Sequence, residues 1–517
     1  MNLGTLVANL PAKNAAVYTL ERGKPVRYPY SSLGNDVAVA VENLRQWGIR
    51  SGTRIGIFAP NSYRWLVYDL AIIELGAVSV PFTDDFAGKI DRDLLDRYQV
   101  ALLLVAKNGA QAIAEKQPYV AYMDADNEYV SAIERQPSPE DAGVLSLAFS
   151  SGSAGGLKGL VVSRQGVEAT LPPICEAIGL KGNDRLLLFL PMSNFQQRGM
   201  CYSALWYDSD IIITDYVQLL AGLKLLQPTI LIAPPMYFQM IYTRFINFSD
   251  AKKGLWSVLA RLISLIPGAP RRRAAAATLF SEFYQQFGGK MRLLITGMAP
   301  IKRDVAEFFA RMQLPLCESY GLVETGSLTY RPAHSRKYGS VGKPVRGVKF
   351  EFTGEGEIIV SREKSLTEHY FQSAEGENER TFLGKGRIAT GDIGTLDKDG
   401  YLYLSGRKKE LIVTAGGYKI HPEIVEGELS GCAEIAQAAV FLKQGAATLV
   451  SVVALNRPHS EEARARTRDF VRNMKTTKAS QIGEIVFADA PFSVENGMLR
   501  PNLKLDRRRI AAKYNLT

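Results

Sequence analysis

Cysteine and histidine are both scarce in this chain of 517 residues, with four of each. Cys175, Cys201, Cys317 and Cys432 lie far apart and follow no metal-ligand spacing. That pattern argues against a disulfide framework or a zinc ribbon and reads as reduced thiols in a cytoplasmic protein. His334, His369, His421 and His459 are too few and too scattered for a histidine-rich metal site. The start at Met1 shows no basic region followed by an apolar run, so no signal peptide is expected. Apolar runs stay well short of the ~20 residues that cross a bilayer. Internal repeats and long low-complexity segments are also missing.

What is present describes a soluble globular protein: 46% of residues are hydrophobic and 22% are charged. The length suits two or three domains. The net charge of +10 suits polyanionic ligands such as nucleotides, acidic partners, nucleic acid or anionic lipid. No nucleic-acid-binding module is found, so no nucleic-acid partner is expected.

Periodicity changes along the chain. Residues 37–47 and 65–75 read as amphipathic helices, closed by Gly48 and Gly76. Residues 54–58, 78–81 and 100–105 read as short buried strands, and so do 185–190, 211–214, 229–233 and 291–296. Such alternation predicts an α/β domain with a largely parallel sheet. From Gly347 the pattern turns to short strands and turns, for example 356–360 and 400–404. After Gly406 it changes again. Residues 423–429 and 460–474 are helical and 438–442 and 449–455 strand-like, which predicts a small α+β domain from about residue 408.

A strand-like stretch at 144–149 feeds Ser150-Ser151-Gly152-Ser153-Ala154-Gly155-Gly156-Leu157-Lys158-Gly159, and 160–163 continues as a strand. Glycines let backbone N–H groups converge on an anion, hydroxyls add donors, and lysine adds charge. The loop is not a P-loop, because Lys158 lacks the preceding Gly and following Ser or Thr. It resembles the signature of the ANL superfamily of acyl-CoA synthetases, adenylation domains and luciferases, roughly [ST]-S-G-[ST]-T-G-x-P-K-G. Ala154 and Leu157 depart from that pattern, and Ala154 removes one hydroxyl.

Further stretches resemble the same family in the same order. Glu318-Ser319-Tyr320-Gly321-Leu322-Val323-Glu324-Thr325 resembles its Y-G-x-T-E box, which implies that Tyr320 and Gly321 lie by the adenine and Glu324 binds Mg²⁺. Val323 replaces the usual threonine. Thr390-Gly391-Asp392 resembles the T-G-D box, implying that Asp392 accepts the ribose hydroxyls. In Gly406-Arg407-Lys408-Lys409-Glu410, Arg407 matches a ribose or phosphate contact and Lys409 the hinge position. Residues 416–423 match a glycine-rich stretch that meets the thiol acceptor. Ile295-Thr296-Gly297-Met298-Ala299-Pro300 resembles the adenine-side strand and turn, bringing in Gly297, Met298 and Ala299. Asn496-Gly497-Met498 allows a register in which the adenylation lysine has become Met498. Leu499-Arg500-Pro501-Asn502-Leu503-Lys504-Leu505-Asp506-Arg507 instead resembles the long-chain acyl-CoA synthetase ending, which makes Lys504 that lysine and, with Glu324, the catalytic pair. Residues 190–198 favour the same branch, with Asn194 in place of a histidine and Gln197 in place of a glutamate.

The resemblance implies an α/β fold. A large N-terminal domain, 1–407, would consist of α/β subdomains plus a small β-barrel-like subdomain, followed by a small mobile α+β domain, 408–517. It implies ATP and Mg²⁺, activation of a carboxylic acid to an acyl-adenylate, and transfer to coenzyme A. Two alternatives stay open: loading of the phosphopantetheine arm of an acyl carrier protein, and a degenerate, non-catalytic acyl- or nucleotide-binding protein. Phe195, Tyr237, Phe238, Gly297, Met298 and Gly321 are the expected acyl wall, apolar or small enough for a fatty or aryl group. Residues 252–266 form an apolar helix with basic flanks, an expected peripheral contact with an anionic membrane surface. The other reading of this stretch is an ordinary domain helix with a solvated basic end.

Overall fold

The computed structural model describes residues 1–107, 118–124, 130–135, 141–151, 157–246, 250–299, 301–413, 419–443, 448–457, 460–474, 482–500 and 505–516. The apolar runs near the N-terminus become neighbouring parallel strands. Arg54–Phe58 lies between Val78–Pro81 and Val100–Val105, and Val120–Tyr122 extends the sheet beyond them. On the other side Val144–Ser151 pairs with Val78–Pro81 and turns back, antiparallel, into Leu157–Ser163. The late strand Thr367–Phe371 closes that edge by pairing antiparallel with Leu157–Ser163. This seven-stranded sheet therefore joins the Ser/Gly/Lys-rich hairpin to a segment more than 200 residues away.

A second, 13-stranded sheet is parallel in its middle and antiparallel at both ends. Asp210–Ile213, Arg185–Leu188, Ile230–Ala233, Leu293–Thr296 and Leu316–Leu322 run parallel. A hairpin of Ala16–Glu21 and Lys24–Pro29 caps one end. The other end is built from Gly326–Arg331, Ser340–Pro344, Leu402–Arg407, Arg387–Leu396, Glu357–Ser361 and Lys349–Phe352. The short-strand pattern after Gly347 is thus the antiparallel flank of the large sheet.

Helices cover these sheets, and their starts have local causes. Ser62 Oγ accepts from Trp65 N–H at the start of Tyr63–Glu74, and Asn194 Oδ1 accepts from Gln196 N–H at the start of Phe195–Tyr207. A buried polar network joins these two helices to the first sheet. Arg198 Nη1 donates to Asp69 Oδ1 at 3.3 Å and to Ser79 Oγ at 3.1 Å, and Tyr202 OH donates to Asp69 Oδ2 at 2.5 Å. Removing either member of the Arg198–Asp69 pair would leave an uncompensated buried charge, a cost of about 3–5 kcal/mol.

After Lys408–Glu410 the chain builds separate sheets. Ile412–Val413 pairs with Lys419–Ile420, and Ile435–Phe441, Leu449–Leu455 and Ile482–Phe487 form a three-stranded sheet. Helices Pro422–Leu429, Glu461–Arg472 and Arg507–Lys513 accompany it. All four cysteines are buried and unpaired. No helix among the described residues is long and apolar enough to cross a membrane.

Candidate active site

The strands Leu316–Leu322, Arg387–Leu396 and Leu402–Arg407 bring three distant side chains together. Tyr320 OH donates to Asp392 Oδ2 at 2.6 Å, and Arg407 Nε lies 3.0 Å from Asp392 Oδ1. The register of the last two strands sets Asp392 opposite Arg407. Tyr320 and Asp392 are buried, whereas Arg407 reaches solvent. Thr390 Oγ1 accepts from Asp392 N–H and donates to Ile358 O, which fixes the backbone that aims the carboxylate. Burial, and then the Asp392 carboxylate, push the Tyr320 phenol well above its ordinary range. The ring is therefore a neutral donor at physiological pH. A carboxylate has roughly four acceptor sites on two oxygens, the property a vicinal diol requires.

Glu324 sits in the turn between the antiparallel strands Leu316–Leu322 and Gly326–Arg331. Its Oε1 accepts from Tyr370 OH at 3.0 Å, and its carbonyl accepts from Thr367 Oγ1 at 2.7 Å. Tyr370 belongs to the strand paired with the lysine-bearing strand, and Lys158 Nζ stands 5.1 Å from the Tyr370 ring centre. Lys158 also forms an ion pair with Glu377. Burial holds its ammonium below the usual lysine range; Lys409 and Arg380 push the same way, and Glu324 opposes them. Lys158, Lys409 and Arg380 thus gather around two carboxylates, Glu324 and Glu377, and these cations could meet a polyphosphate.

The remaining expected residues fall around this pair of clusters. The backbone of Ser150 lies opposite Lys158 and that of Ser151 opposite Leu157. Gly152, Ser153 and Gly155 lie outside the described residues, as do Ala154 and Gly156. Gly297, Met298 and Ala299 follow the strand Leu293–Thr296. A Cβ on Gly297 would lie 2.6 Å from Ser319 O, and one on Gly321 would lie 2.3 Å from Gly326 O. Both glycines therefore have a packing reason: they let neighbouring strands close around Tyr320. Met298 has φ 72°, a conformation that costs a non-glycine residue of order 1–3 kcal/mol. Lys409 is exposed in the turn that follows Arg407.

The expected acyl wall is divided between two cores. Phe195 packs in the first core, with Tyr320, at the start of its helix. Tyr237 and Phe238 belong to a second core, against which Met298 packs. Phe238 is fully enclosed, 5.6 Å from Phe309 ring to ring, and Tyr237 is buried with no hydrogen-bond partner for its hydroxyl among the described residues. Lys504 lies outside the described residues; its neighbour Leu505 forms an antiparallel bridge with Leu499. Met498 is buried in the small domain's apolar core beside Phe492 and Ile510. Tyr370, Glu377 and Arg380 were not expected from sequence, because only the pairing of strands brings them to Lys158.

The Mg²⁺ that such a reaction calls for can be set against these residues. No group of three or more acidic, cysteine or histidine side chains suited to a metal occurs among the described residues. Mg²⁺ commonly keeps its waters and takes one or two carboxylates plus substrate phosphates. Glu324, oriented by Tyr370 and facing Lys158, fits that role.

Comparison with known proteins adds the family. The sequence model of the AMP-binding enzyme family matches residues 5–364. The long-chain-fatty-acid–CoA ligase FadD15 of Mycobacterium bovis is 26% identical over 93% of this chain and 90% of its own. The chloroplastic long-chain-fatty-acid–[acyl-carrier-protein] ligase AEE15 of Arabidopsis thaliana is 20% identical over 95% of this chain and 82% of its own. The solved structure of the O-succinylbenzoate coenzyme A synthetase MenE from Bacillus subtilis, in complex with ATP and magnesium ion, has a TM-score of 0.72 at 20% identity and covers 98% of both chains. The family match spans well over half of the chain, which therefore belongs to the AMP-binding enzyme family and is an AMP-forming acid–thiol ligase of the ANL superfamily.

Proposed function

We propose that this ligase activates a fatty or other apolar carboxylic acid with ATP and transfers the acyl group to coenzyme A. The observation that carries this reading is the meeting of Tyr320, Asp392 and Arg407 beside Glu324 and Lys158. The first cluster offers a carboxylate for ribose. The second offers cations and one hard oxygen donor for phosphates. In the first half-reaction a carboxylate oxygen of the acid bonds to the α-phosphorus and pyrophosphate leaves. In the second, a thiolate sulfur bonds to the acyl carbon and AMP leaves.

Each residue has a stated task. Asp392 accepts from the ribose hydroxyls while Tyr320 and Arg407 hold it in place. Lys158, with the backbone of the 150–159 loop, binds phosphate oxygens. Glu324 would hold Mg²⁺, which supplies charge neutralisation between the phosphates when bound. Lys504 neutralises charge developing at the α-phosphate. The small domain, taken as 408–517, turns about Lys409 between the two steps. Phe195, Tyr237, Gly297, Met298 and Gly321 line the acyl group, and their apolar or small character supports an apolar acid.

ATP–pyrophosphate exchange across a panel of acids tests the reading. Exchange with medium- or long-chain acids is the expected result, followed by thioester formation with coenzyme A. No exchange with any acid would identify a non-catalytic binding protein, and transfer to a carrier protein in preference to coenzyme A would replace the acceptor. Lys504→Ala should abolish exchange and spare thioester formation from supplied acyl-adenylate. Equal loss of both half-reactions would count against domain alternation, and unchanged exchange would remove Lys504 from the site.

A further inference from the structure

The helix Asp250–Ser264 is apolar on two sides. Its inner side, with Trp256, Ala260 and Ile263, packs into the second core, where Trp256 lies 5.3 Å from Phe245 and 4.9 Å from Phe280, ring to ring. Its outer side presents Leu255, Val258 and Leu262, and Leu265 follows in the next turn; they are 57%, 57%, 55% and 75% exposed. At ~100° per residue these four fall within an arc of about 80°, a continuous stripe. Burial of the inner side already fixes the helix, so the outer stripe has no folding role to explain it.

The charge along this stretch is mostly basic: Asp250 opens the helix and Glu282 follows the next one, with no acid between them. Between residues 251 and 281 the sequence has six basic residues, Lys252, Lys253, Arg261, Arg271, Arg272 and Arg273, and no acidic one. Arg261 and Arg271 are exposed. Arg272 donates to Ile266 O, and Arg273 to Met291 O and Arg292 O, which ties the following helix Ala269–Leu279 to the body of the protein. The stripe is therefore held on a rigid support with cations at its border.

We propose that this face docks the protein on an anionic membrane surface, with the helix lying in the plane of the headgroups. An apolar stripe flanked by Arg and Lys gains from apolar insertion and from attraction to anionic lipid together. A second copy fits less well, because a two-fold contact between such stripes would set Arg261 and Arg271 against like charges. Docking does not depend on which acid is activated. It would place the core that carries Tyr237 next to a phase in which apolar acids concentrate.

The test is co-sedimentation of the full chain with phosphatidylglycerol-containing vesicles and with phosphatidylcholine vesicles, at low and high salt. Binding to the anionic vesicles that weakens with salt is expected, and Val258→Asp with Leu262→Asp should weaken it roughly tenfold or more. Arg261→Glu with Arg271→Glu should do the same without touching the apolar stripe. Both pairs should keep the wild-type melting temperature and pyrophosphate exchange. Failure of the wild type to bind anionic vesicles at low salt, or wild-type binding by both variants, overturns the proposal. So does lipid-free self-association, seen by sedimentation velocity, that Val258→Asp with Leu262→Asp abolishes; that result would assign the face to a second copy.

Discussion

At the scale of single residues, Asp392 separates the structural part of the site from the ligand-binding part. Its carboxylate is engaged by Tyr320 and Arg407, so a substitution acts on both. Asp392→Asn keeps the shape and removes the charge. A hydrogen bond to a charged group contributes roughly 1.5–3 kcal/mol, so kcat/KM for ATP should fall about tenfold or more in pyrophosphate exchange. Tyr320→Phe is the control: it removes only the hydroxyl that donates to Asp392 and should change the same constant by a few-fold at most. A loss in Tyr320→Phe as large as that in Asp392→Asn would move the main role from the carboxylate to the tyrosine hydroxyl. Glu377 supplies a second case. It forms an ion pair with Lys158, the proposed phosphate contact, and it would repel a phosphate there. Glu377→Gln should therefore lower the KM for ATP, by roughly three- to tenfold if about 1 kcal/mol of competing attraction is removed. A higher KM would show that Glu377 holds Lys158 in its working position.

At the scale of elements, legibility followed how local the cause was. Strands 54–58, 78–81, 100–105 and 449–455 have the limits read from sequence, because each is an uninterrupted buried run bounded by a turn. The first helix extends back to Tyr30, before the expected 37: Tyr30, Leu33 and Val37 continue its buried face, but no Asn, Asp, Ser or Thr at the N-cap position, which is Pro29, marks that start in the sequence. The hairpin of Ala16–Glu21 and Lys24–Pro29 was not expected: its second strand is an edge with no buried residue. Motif order made Glu324, Asp392 and Arg407 legible. Tyr370, Glu377 and Arg380 were not, since their place depends on Thr367–Phe371 crossing to the other sheet. The turn after Arg407 yields an element-scale prediction. A Cβ on Gly406 would lie 2.8 Å from His421 Nδ1 and 2.9 Å from Glu423 Oε2, so the start of the small domain packs directly on this backbone. Burial, and then hydrogen bonding with Glu410, raise Glu423 to about 8, against the pull of Arg507. His421 is held below its usual range by burial, and Glu426 is bound to Arg507 through both oxygens. A carboxyl raised on folding keeps a proton that the unfolded chain has lost. Its contribution is fully present below the unfolded value near 4.5 and is lost as pH rises through about 8. Glu423→Gln should flatten the fall in melting temperature between these limits and raise the melting temperature at the alkaline end. An unchanged slope would mean that Glu423 is charged throughout.

At the scale of the whole molecule, the question is what holds the small domain where it lies. Besides the packing of His421 and Glu423 on Gly406 and the ion pairs of Lys408 with Glu355 and Glu357, two contacts among the described residues come from segments far from that turn. Lys302 Nζ, at the start of helix Arg303–Arg311, donates to Ile435 O at 3.0 Å. Met236 packs against the small domain's core and lies 3.4 Å from Gln437 Nε2 through its sulfur. Met236 precedes Tyr237 of the proposed acyl wall, and Lys302 follows the turn of Gly297, Met298 and Ala299, so both contacts arise from segments next to the site. Burial lowers the Lys302 ammonium to about 8, a cost offset in part by Asp304. On the proposed rotation of the small domain, that cost would be borne only while the domain covers the lysine. A side chain buried in one orientation and solvated in another biases the balance between them by its differential interaction and by nothing else. Lys302→Met removes the ammonium and keeps the stem. If the bias is about 1 kcal/mol, the populations of the two orientations shift roughly fivefold. Acyl-adenylate formation in a single turnover and thioester formation from supplied acyl-adenylate, measured separately, should then change unequally, one by several-fold and the other little. Equal loss in both, with a lower melting temperature, would assign Lys302 to the stability of the fold instead of to the orientation of its domains.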